Sequence, residues 1–307
     1  MVEKAGNNGN LKAQKKLGNL YYDGNVGIPQ RLEEGIKWYT MAAEQGCVKS
    51  QLIAANYYLS LGDNHNMSVE NSYLSSGNPS QLCRDVNKGY YYYSCAAEIG
   101  DPVGQASLGQ CYYEGLGVSR SHVDAFYWAG LAVEQGFEGA RNLLGLCYEA
   151  SSHEASSHES KNKKHSSIRD TNTSRWTNTL STSPSMRSNY ESNTLTNAMS
   201  IHSYNYNEHQ AFECYRIASE DGDSHALYNL GRCYFNGVGT KTDKVKACEC
   251  FKILADTEGD APSQFYVGYC LANGIGVELS KTHAKRYYEL AIGQGCVDAE
   301  IALKKLF

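Results

Sequence analysis

Small and apolar residues recur at helical spacing along most of this chain. Gly104, Leu108, Cys111, Tyr112 and Gly115 stand at i, i+4, i+7, i+8 and i+11, one stripe of a 3.6-residue helix. The stripe closes on Gly115-Leu116-Gly117, where glycine tolerates the left-handed turn that ends a helix. A second helical segment follows, Trp128-Ala129-Gly130-Leu131-Ala132-Val133-Glu134-Gln135-Gly136, again closed by glycine. Its alanines suit close approach between helices. No stretch carries the strict alternation of a half-buried strand. Each pair of segments therefore predicts a helical hairpin whose apolar face it cannot bury alone.

The hairpin pattern repeats. Leu108-Gly109-Gln110-Cys111-Tyr112 returns as Leu230-Gly231-Arg232-Cys233-Tyr234 and as Val267-Gly268-Tyr269-Cys270-Leu271, with an earlier copy at Leu17-Gly18-Asn19-Leu20-Tyr21. Degraded copies start at Ala54 and Leu144, and a last half-copy at Leu303. The second motif recurs as Trp38-Tyr39-Thr40-Met41-Ala42-Ala43-Glu44-Gln45-Gly46 and Tyr92-Tyr93-Ser94-Cys95-Ala96-Ala97-Glu98-Ile99-Gly100, with weaker forms ending at Gly222, Gly259 and Gly295. Its closing glycines set a period of 36 or 37 residues, as from Gly100 to Gly136 or from Gly222 to Gly259. The intervals Gly46–Gly100 and Gly136–Gly222 are longer, by roughly 18 and 50 residues, and both insertions fall between the two motifs of a unit. Six hairpins and a terminal helix follow from this count. The predicted fold is all-α, an α/α superhelical solenoid of paired antiparallel helices. Its parts are repeat units over 1–150 with a loop insert at about 63–83, an insert over 151–206, and repeat units with a capping helix over 207–307. The 151–206 stretch is rich in Ser, Thr and Asn and nearly free of aliphatic residues, a composition that predicts disorder.

Composition narrows the function. Among 307 residues, Lys and Arg number 28 and Asp and Glu 33, a formal net charge of −5. Nucleic-acid binding would call for a clustered basic footprint, which is absent. No apolar run approaches the length of a membrane span. The first residues lack a secretory signal, so the chain reads as cytoplasmic; association with the endoplasmic reticulum would require a targeting segment outside it. The 11 cysteines are an odd set and read as small apolar filler rather than a disulfide framework. Tyrosine stands out, with 24 residues against 7 Phe and 3 Trp, and suits helices packed through rings that each keep a hydroxyl for water or a partner.

The run Ala-x3-Leu-Gly-x2-Tyr-x2-Gly-x-Gly-Val, followed by Ala-x2-Trp-Tyr-x2-Ala-Ala-Glu-Gln-Gly, resembles the Sel-one-like repeat (SLR), a cousin of the tetratricopeptide repeat. The resemblance covers about residues 10–62, 85–150 and 207–307, and is most specific over 104–136. It implies a right-handed superhelix with a concave groove and the role of a non-enzymatic adaptor or scaffold that binds other proteins. Two narrower roles remain open under it: activation of a membrane enzyme such as chitin synthase, whose activator-like subgroup of the family Tyr22-Asp23-Gly24-Asn25-Val26-Gly27-Ile28-Pro29 slightly resembles, and a ubiquitin-ligase adaptor in endoplasmic-reticulum-associated degradation. A cysteine-rich branch of the family, with cysteines paired inside each hairpin and a hydrolase activity ascribed to some members, is the enzymatic alternative. Here Cys111, Cys147, Cys233 and Cys270 share one position on the first helix, with no partner at a fixed place on the second.

Catalytic, metal and cofactor chemistry finds no footing. The Gly-x-Gly copies follow helices rather than a strand and lack the third glycine of a dinucleotide fingerprint. His153-Glu154-Ala155-Ser156-Ser157-His158 is one residue too long for a helical zinc motif. Cys248-x-Cys250 points its thiols to different helix faces, and His209 and Cys214 are poorly spaced as a base and nucleophile. We expect no cofactor and no metal. Partners are expected to be proteins or peptides. The candidate partner-binding residues are Tyr22, Tyr113, Tyr228, Arg232, Phe235, Phe265 and Tyr269, on the first-helix face opposite the core stripe. That face also carries Lys15, Asn19, Ala106 and Gln110. The competing reading makes the aromatics extra core between neighbouring first helices. A kinase is a candidate partner of the 151–206 insert, at Lys163-Lys164-His165-Ser166 or Ser183-Pro184. Asn66-Met67-Ser68 and Asn172-Thr173-Ser174 are glycosylation sequons.

Overall fold

A computed structural model describes residues 2–24, 29–63, 79–150 and 208–306. Its helices are α1 (Val2–Asn7), α2 (Leu11–Asp23), α3 (Leu32–Glu44), α4 (Val48–Asp63), α5 (Pro79–Glu98), α6 (Pro102–Glu114) and α7 (His122–Glu134). After a 3-10 turn (Glu138–Ala140) come α8 (141–150), α9 (Glu208–Glu220), α10 (Ser224–Asn236), α11 (Lys244–Thr257), α12 (Ala261–Asn273), α13 (Lys281–Ile292) and α14 (Val297–Leu306). No strand occurs among the described residues. The chain divides into two compact units, Met1–Leu143 and Leu144–Phe307. In each, consecutive helices pack in pairs, so the chain is an all-α solenoid of helical hairpins. The 151–206 insert, its His153–His158 run, both kinase motifs and both sequons lie outside the described residues. Helix α5 starts at Pro79, inside the stretch expected to be loop.

Why these segments form hairpins is visible at their ends. Helices α2, α6, α10 and α12 begin on Asn10, Asp101, Asp223 and Asp260, whose side-chain oxygens accept the backbone amide three residues on at 2.8 to 2.9 Å. Helices α6, α10 and α12 end on Gly115, Gly237 and Gly274 in the left-handed conformation. The second glycine of each Gly-x-Gly answers to a neighbour. A Cβ at Gly117 would lie 2.8 Å from the Cβ of Tyr90 and 2.9 Å from the carbonyl oxygen of Val86, on the preceding second helix. At Gly239 and Gly276 it would run into the carbonyls of Glu208 and Lys244. The loop thus seats one hairpin against the one before it, which accounts for its glycines without any phosphate.

Four of the hairpins close on a shared joint. The glycine of the Leu-Gly pair leaves a gap on the first helix, and an aromatic ring from the second helix fills it. A Cβ at Gly18, Gly231 or Gly268 would stand 2.9, 2.9 and 2.7 Å from the rings of Tyr39, Phe251 and Tyr288. Gly145 meets Tyr215 in the same way. These four rings are at most 3% exposed. The cysteine two positions after that glycine is also buried: Cys111, Cys147, Cys233 and Cys270 are all free thiols at 0 to 1% exposure. Burial pushes Cys111 and Cys233 up to about 12, so both stay protonated at neutral pH. Cys248 donates to the carbonyl of Ile275 at 3.0 Å, whereas Cys250 packs on Gly231, so the two thiols do face different neighbours.

Two features were not anticipated. Short helix α1 ends in the closing turn of a second helix: Gly9 is left-handed and the Asn10 amide reaches the Ala5 carbonyl at 3.0 Å, as Cys47 does to Ala42 and Phe137 to Ala132. The other is a set of glutamine pairs, each joining an exposed glutamine of the second helix to a buried one of the first. Gln45, Gln135 and Gln294, each just before a closing glycine, donate to Gln14, Gln105 and Gln264 of their own first helices at 2.6, 2.7 and 3.0 Å. Gln14 in turn donates to the Gly6 carbonyl at 3.0 Å, tying its hairpin to the preceding turn. Buried amides paired this way satisfy polar groups that would otherwise cost about 1 to 3 kcal/mol each.

A candidate partner-binding face

Five of the expected partner-binding residues come together in the second unit. Tyr228, Arg232 and Phe235 lie on α10, and Phe265 and Tyr269 on α12. The helices bring them into register because α10 and α12 are both first helices, placed side by side across α11. Tyr228 meets Tyr266 edge-on at 6.2 Å, and Phe235 meets Tyr266 at 5.8 Å and Tyr269 at 6.3 Å. Phe265 continues the strip, 6.4 Å from Tyr269 and 6.1 Å from Tyr288. The strip sits on a floor: Phe251 is fully buried, stacks on Tyr266 at 4.6 Å and lies 5.7 Å from Tyr228.

These aromatics are neither sealed in the core nor fully exposed. Tyr228, Phe235 and Phe265 are half-buried and Tyr269 is 38% exposed, so none of the four is sealed into the core. Each ring nevertheless packs edge to face with its neighbours, worth about 0.5 to 1.5 kcal/mol per pair beyond area burial. The Arg232 side chain is 39% exposed, donates to the Asn229 side-chain oxygen at 3.1 Å, and lies 3.8 Å from a Glu149 carboxylate oxygen. Lys244 places its ammonium 3.5 Å above the Phe235 ring. Burial, with the neighbouring Tyr266 second, pushes the Tyr228 phenol up to about 12, so it remains a hydrogen-bond donor across the physiological range.

The other two candidates belong to the first unit. Tyr22 lies in the last turn of α2, packs edge-on against Tyr39 at 5.7 Å and lines an open cleft. Tyr113 on α6 is half-buried and lies 5.2 Å from the His122 ring. Sequence reasoning passed over Tyr266, Phe251 and Lys244. Tyr266 adjoins Phe265 in the chain, and its one-residue offset places it between the two helices rather than on the outward line.

Chemistry on this face is that of contact. Among the described residues no group of three or more His, Cys, Asp and Glu is placed to hold a metal ion. His209 is exposed and its ring nitrogen Nδ1 lies 3.2 Å from the Gly239 carbonyl, while Cys214 is buried. No helix among the described residues is long and apolar enough to cross a membrane.

Comparison with known proteins agrees with this architecture. The Sel1 repeat model matches residues 11–47, 80–101, 102–137, 204–223, 224–256 and 261–296, more than half of the chain. Helices α4 and α8, which carry the degraded copies, fall outside the matches. Among solved structures, a Sel1 repeat protein from Oxalobacter formigenes is 24% identical, aligned over 100% of this chain and 69% of its own, with a TM-score of 0.60. A protective antigen of uropathogenic Escherichia coli strains displaying an SLR fold is 20% identical over 99% of this chain and 74% of its own, with a TM-score of 0.32. A Sel1 repeat protein from Klebsiella pneumoniae subsp. pneumoniae is 18% identical over 88% of this chain and 98% of its own, with a TM-score of 0.44. The first bears on the fold; the other two superpose too loosely to carry an argument. With matches on six repeats over more than half of its length, the chain belongs to the Sel1 repeat family.

Proposed function

We propose that this chain is a non-enzymatic adaptor that holds a partner protein against the α10–α12 face. Sel1 repeats commonly serve as protein–protein interaction scaffolds. The observation that carries the reading is the continuous, partly exposed strip of Tyr228, Phe235, Tyr269 and Phe265, with Arg232 at its edge. Rings braced by neighbours lose little conformational freedom on binding, and Tyr and Arg are enriched among the residues that dominate interface energies. The strip presents both. Tyr22 and Tyr113 would be separate contact points on the first unit.

Affinity capture from the source cell tests this. The intact chain is compared with a Tyr228→Ala, Phe265→Ala, Tyr269→Ala variant that keeps its helical circular dichroism. A partner held by the first and lost by the second is the expected result. A partner retained by both moves the site elsewhere.

A further inference from the structure

The residue after a closing glycine opens the next first helix. Asn10, Asp101, Asp223 and Asp260 fill that place with an oxygen that accepts a backbone amide, but α4 and α14 have cysteines there, Cys47 and Cys296. Cys47 keeps the geometry of the place. Its amide reaches the Ala42 carbonyl at 3.2 Å, and its carbonyl accepts the Gln51 amide at 2.9 Å. Its sulfur takes the Ser50 amide, as the Asp101 carboxylate takes that of Gly104. A position that holds a carboxylate in three other hairpins favours a negative sulfur here.

Two further groups single out Cys47. The Ser50 hydroxyl is fully buried, hydrogen-bonds to no oxygen or nitrogen among the described residues, and approaches the Cys47 sulfur. Lys15 brings its ammonium to the same sulfur from α2. Burial raises the Cys47 thiol, but the Ser50 hydroxyl and amide and the Lys15 charge outweigh it and hold the thiol below its ordinary value. Cys296 has neither group. Ala299 stands in place of Ser50, and Phe265 stands in place of Lys15 and belongs to the same apolar cluster as Cys296. Cys95, also half-buried, is pushed up by burial, and the other described cysteines are buried.

From this arrangement we infer that Cys47 is a nucleophilic thiolate, held at the head of α4 by Ser50 and Lys15, and a site of mixed-disulfide formation with small-molecule disulfides. The Cys47 sulfur bonds to one sulfur of the disulfide as the old S–S bond breaks. Cys47 is oxidised, and the departing half is reduced to a thiolate that takes a proton from water. This site is independent of the α10–α12 face, and either can fail without the other.

The test treats the folded full chain with glutathione disulfide and follows each cysteine by peptide mass spectrometry over a range of pH. At neutral pH Cys47 should gain the adduct about threefold to tenfold faster than Cys296 in the same molecule, and dithiothreitol should remove it. Ser50→Ala and Lys15→Gln should each slow Cys47 and move its rate profile to higher pH, with Cys296 unchanged. Alanine already stands at the place of Ser50 in Ala13, Ala226 and Ala299, so Ser50→Ala should keep the fold. A Cys47 rate no greater than that of Cys296, or a Cys47 profile that neither substitution moves, overturns the proposal.

Discussion

Helices α6 and α12 occupy the same place in their hairpins and show how this chain separates framework from face. Inward, they agree: Gly104, Gln105, Leu108, Gly109 and Cys111 of α6 match Ser263, Gln264, Val267, Gly268 and Cys270 of α12, all buried. Outward, they differ. Where α12 sets Phe265 and Tyr269, α6 sets Ala106 and Gln110. The hairpin geometry constrains the first set and leaves the second free. A surface strip of rings on α10 and α12, absent from α6, is therefore a property of those units and not a requirement of the repeat. The joints differ too. Tyr288 fills the gap at Gly268, whereas the corresponding residue of α7 is Ala129, and Leu143 reaches in to pack on Gly109 instead.

That contrast can be broken at several points. The largest effect is expected at Gly276, which has a φ of +67° and no room for a Cβ beside the Lys244 carbonyl. Gly276→Ala should lower the urea unfolding free energy by about 3 kcal/mol, combining left-handed strain with a backbone clash. Next is the pair Gly268→Ala and Gly109→Ala. At Gly268 the new methyl meets a buried ring at 2.7 Å and should cost about 1 to 3 kcal/mol. At Gly109 the nearest atoms lie at 3.2 to 3.3 Å, and a helix-propensity gain of about 1 kcal/mol offsets the crowding, so that variant should be near neutral. Equal losses at both sites would show that the two joints are equivalent.

Alkaline pH offers a broader test. Cys111 and Cys233 are pushed up to about 12 and Cys250 to about 11 by burial, as are Tyr93 and Tyr288 to about 12. A raised folded value means the unfolded chain releases protons first. The stabilisation is complete below about pH 8.5, the unfolded thiol range, and is lost as pH rises towards 12. Urea midpoints should be flat from pH 7 to 8.5 and fall steadily above it. Smallest, and opposite in sign, is an effect in hairpin α4–α5. Its Gln51 matches Gln14, Gln105 and Gln264, but the residue before its closing glycine is Ile99 instead of glutamine, and the Gln51 side-chain oxygen has no hydrogen-bond partner among the described residues. Ile99 is 62% exposed. Ile99→Gln should stabilise the chain by about 0.5 to 1.5 kcal/mol, measured by urea titration.

Much of the fold was legible because its signals are local and repeated. Leu-Gly, the buried cysteine and the closing glycine recur at fixed spacing, and each has one physical meaning in a stacked hairpin. The glutamine pairs escaped notice because a polarity pattern treats Gln105 as a surface residue; its fixed place three residues before Leu108 was the available clue. Helix α1 carries only the end of a motif, Lys4-Ala5-Gly6-Asn7-Asn8-Gly9. Face residues were half legible. Periodicity identified which side of α10 and α12 faces away from the stripe, but not that Phe251 from α11 would rise between them as a floor.

The most direct test of the separation between framework and face is a graft. The outward residues of α10 and α12 are replaced by those of α6 (Tyr228→Ala, Arg232→Gln, Phe265→Ala, Tyr269→Gln), and both cooperative unfolding and partner capture are measured on the same protein. The account predicts a helical chain that still unfolds in one cooperative step, at a lower urea midpoint, and no longer captures its partner. Loss of cooperative folding would show that the strip is core, and an undiminished partner would show that recognition lies elsewhere.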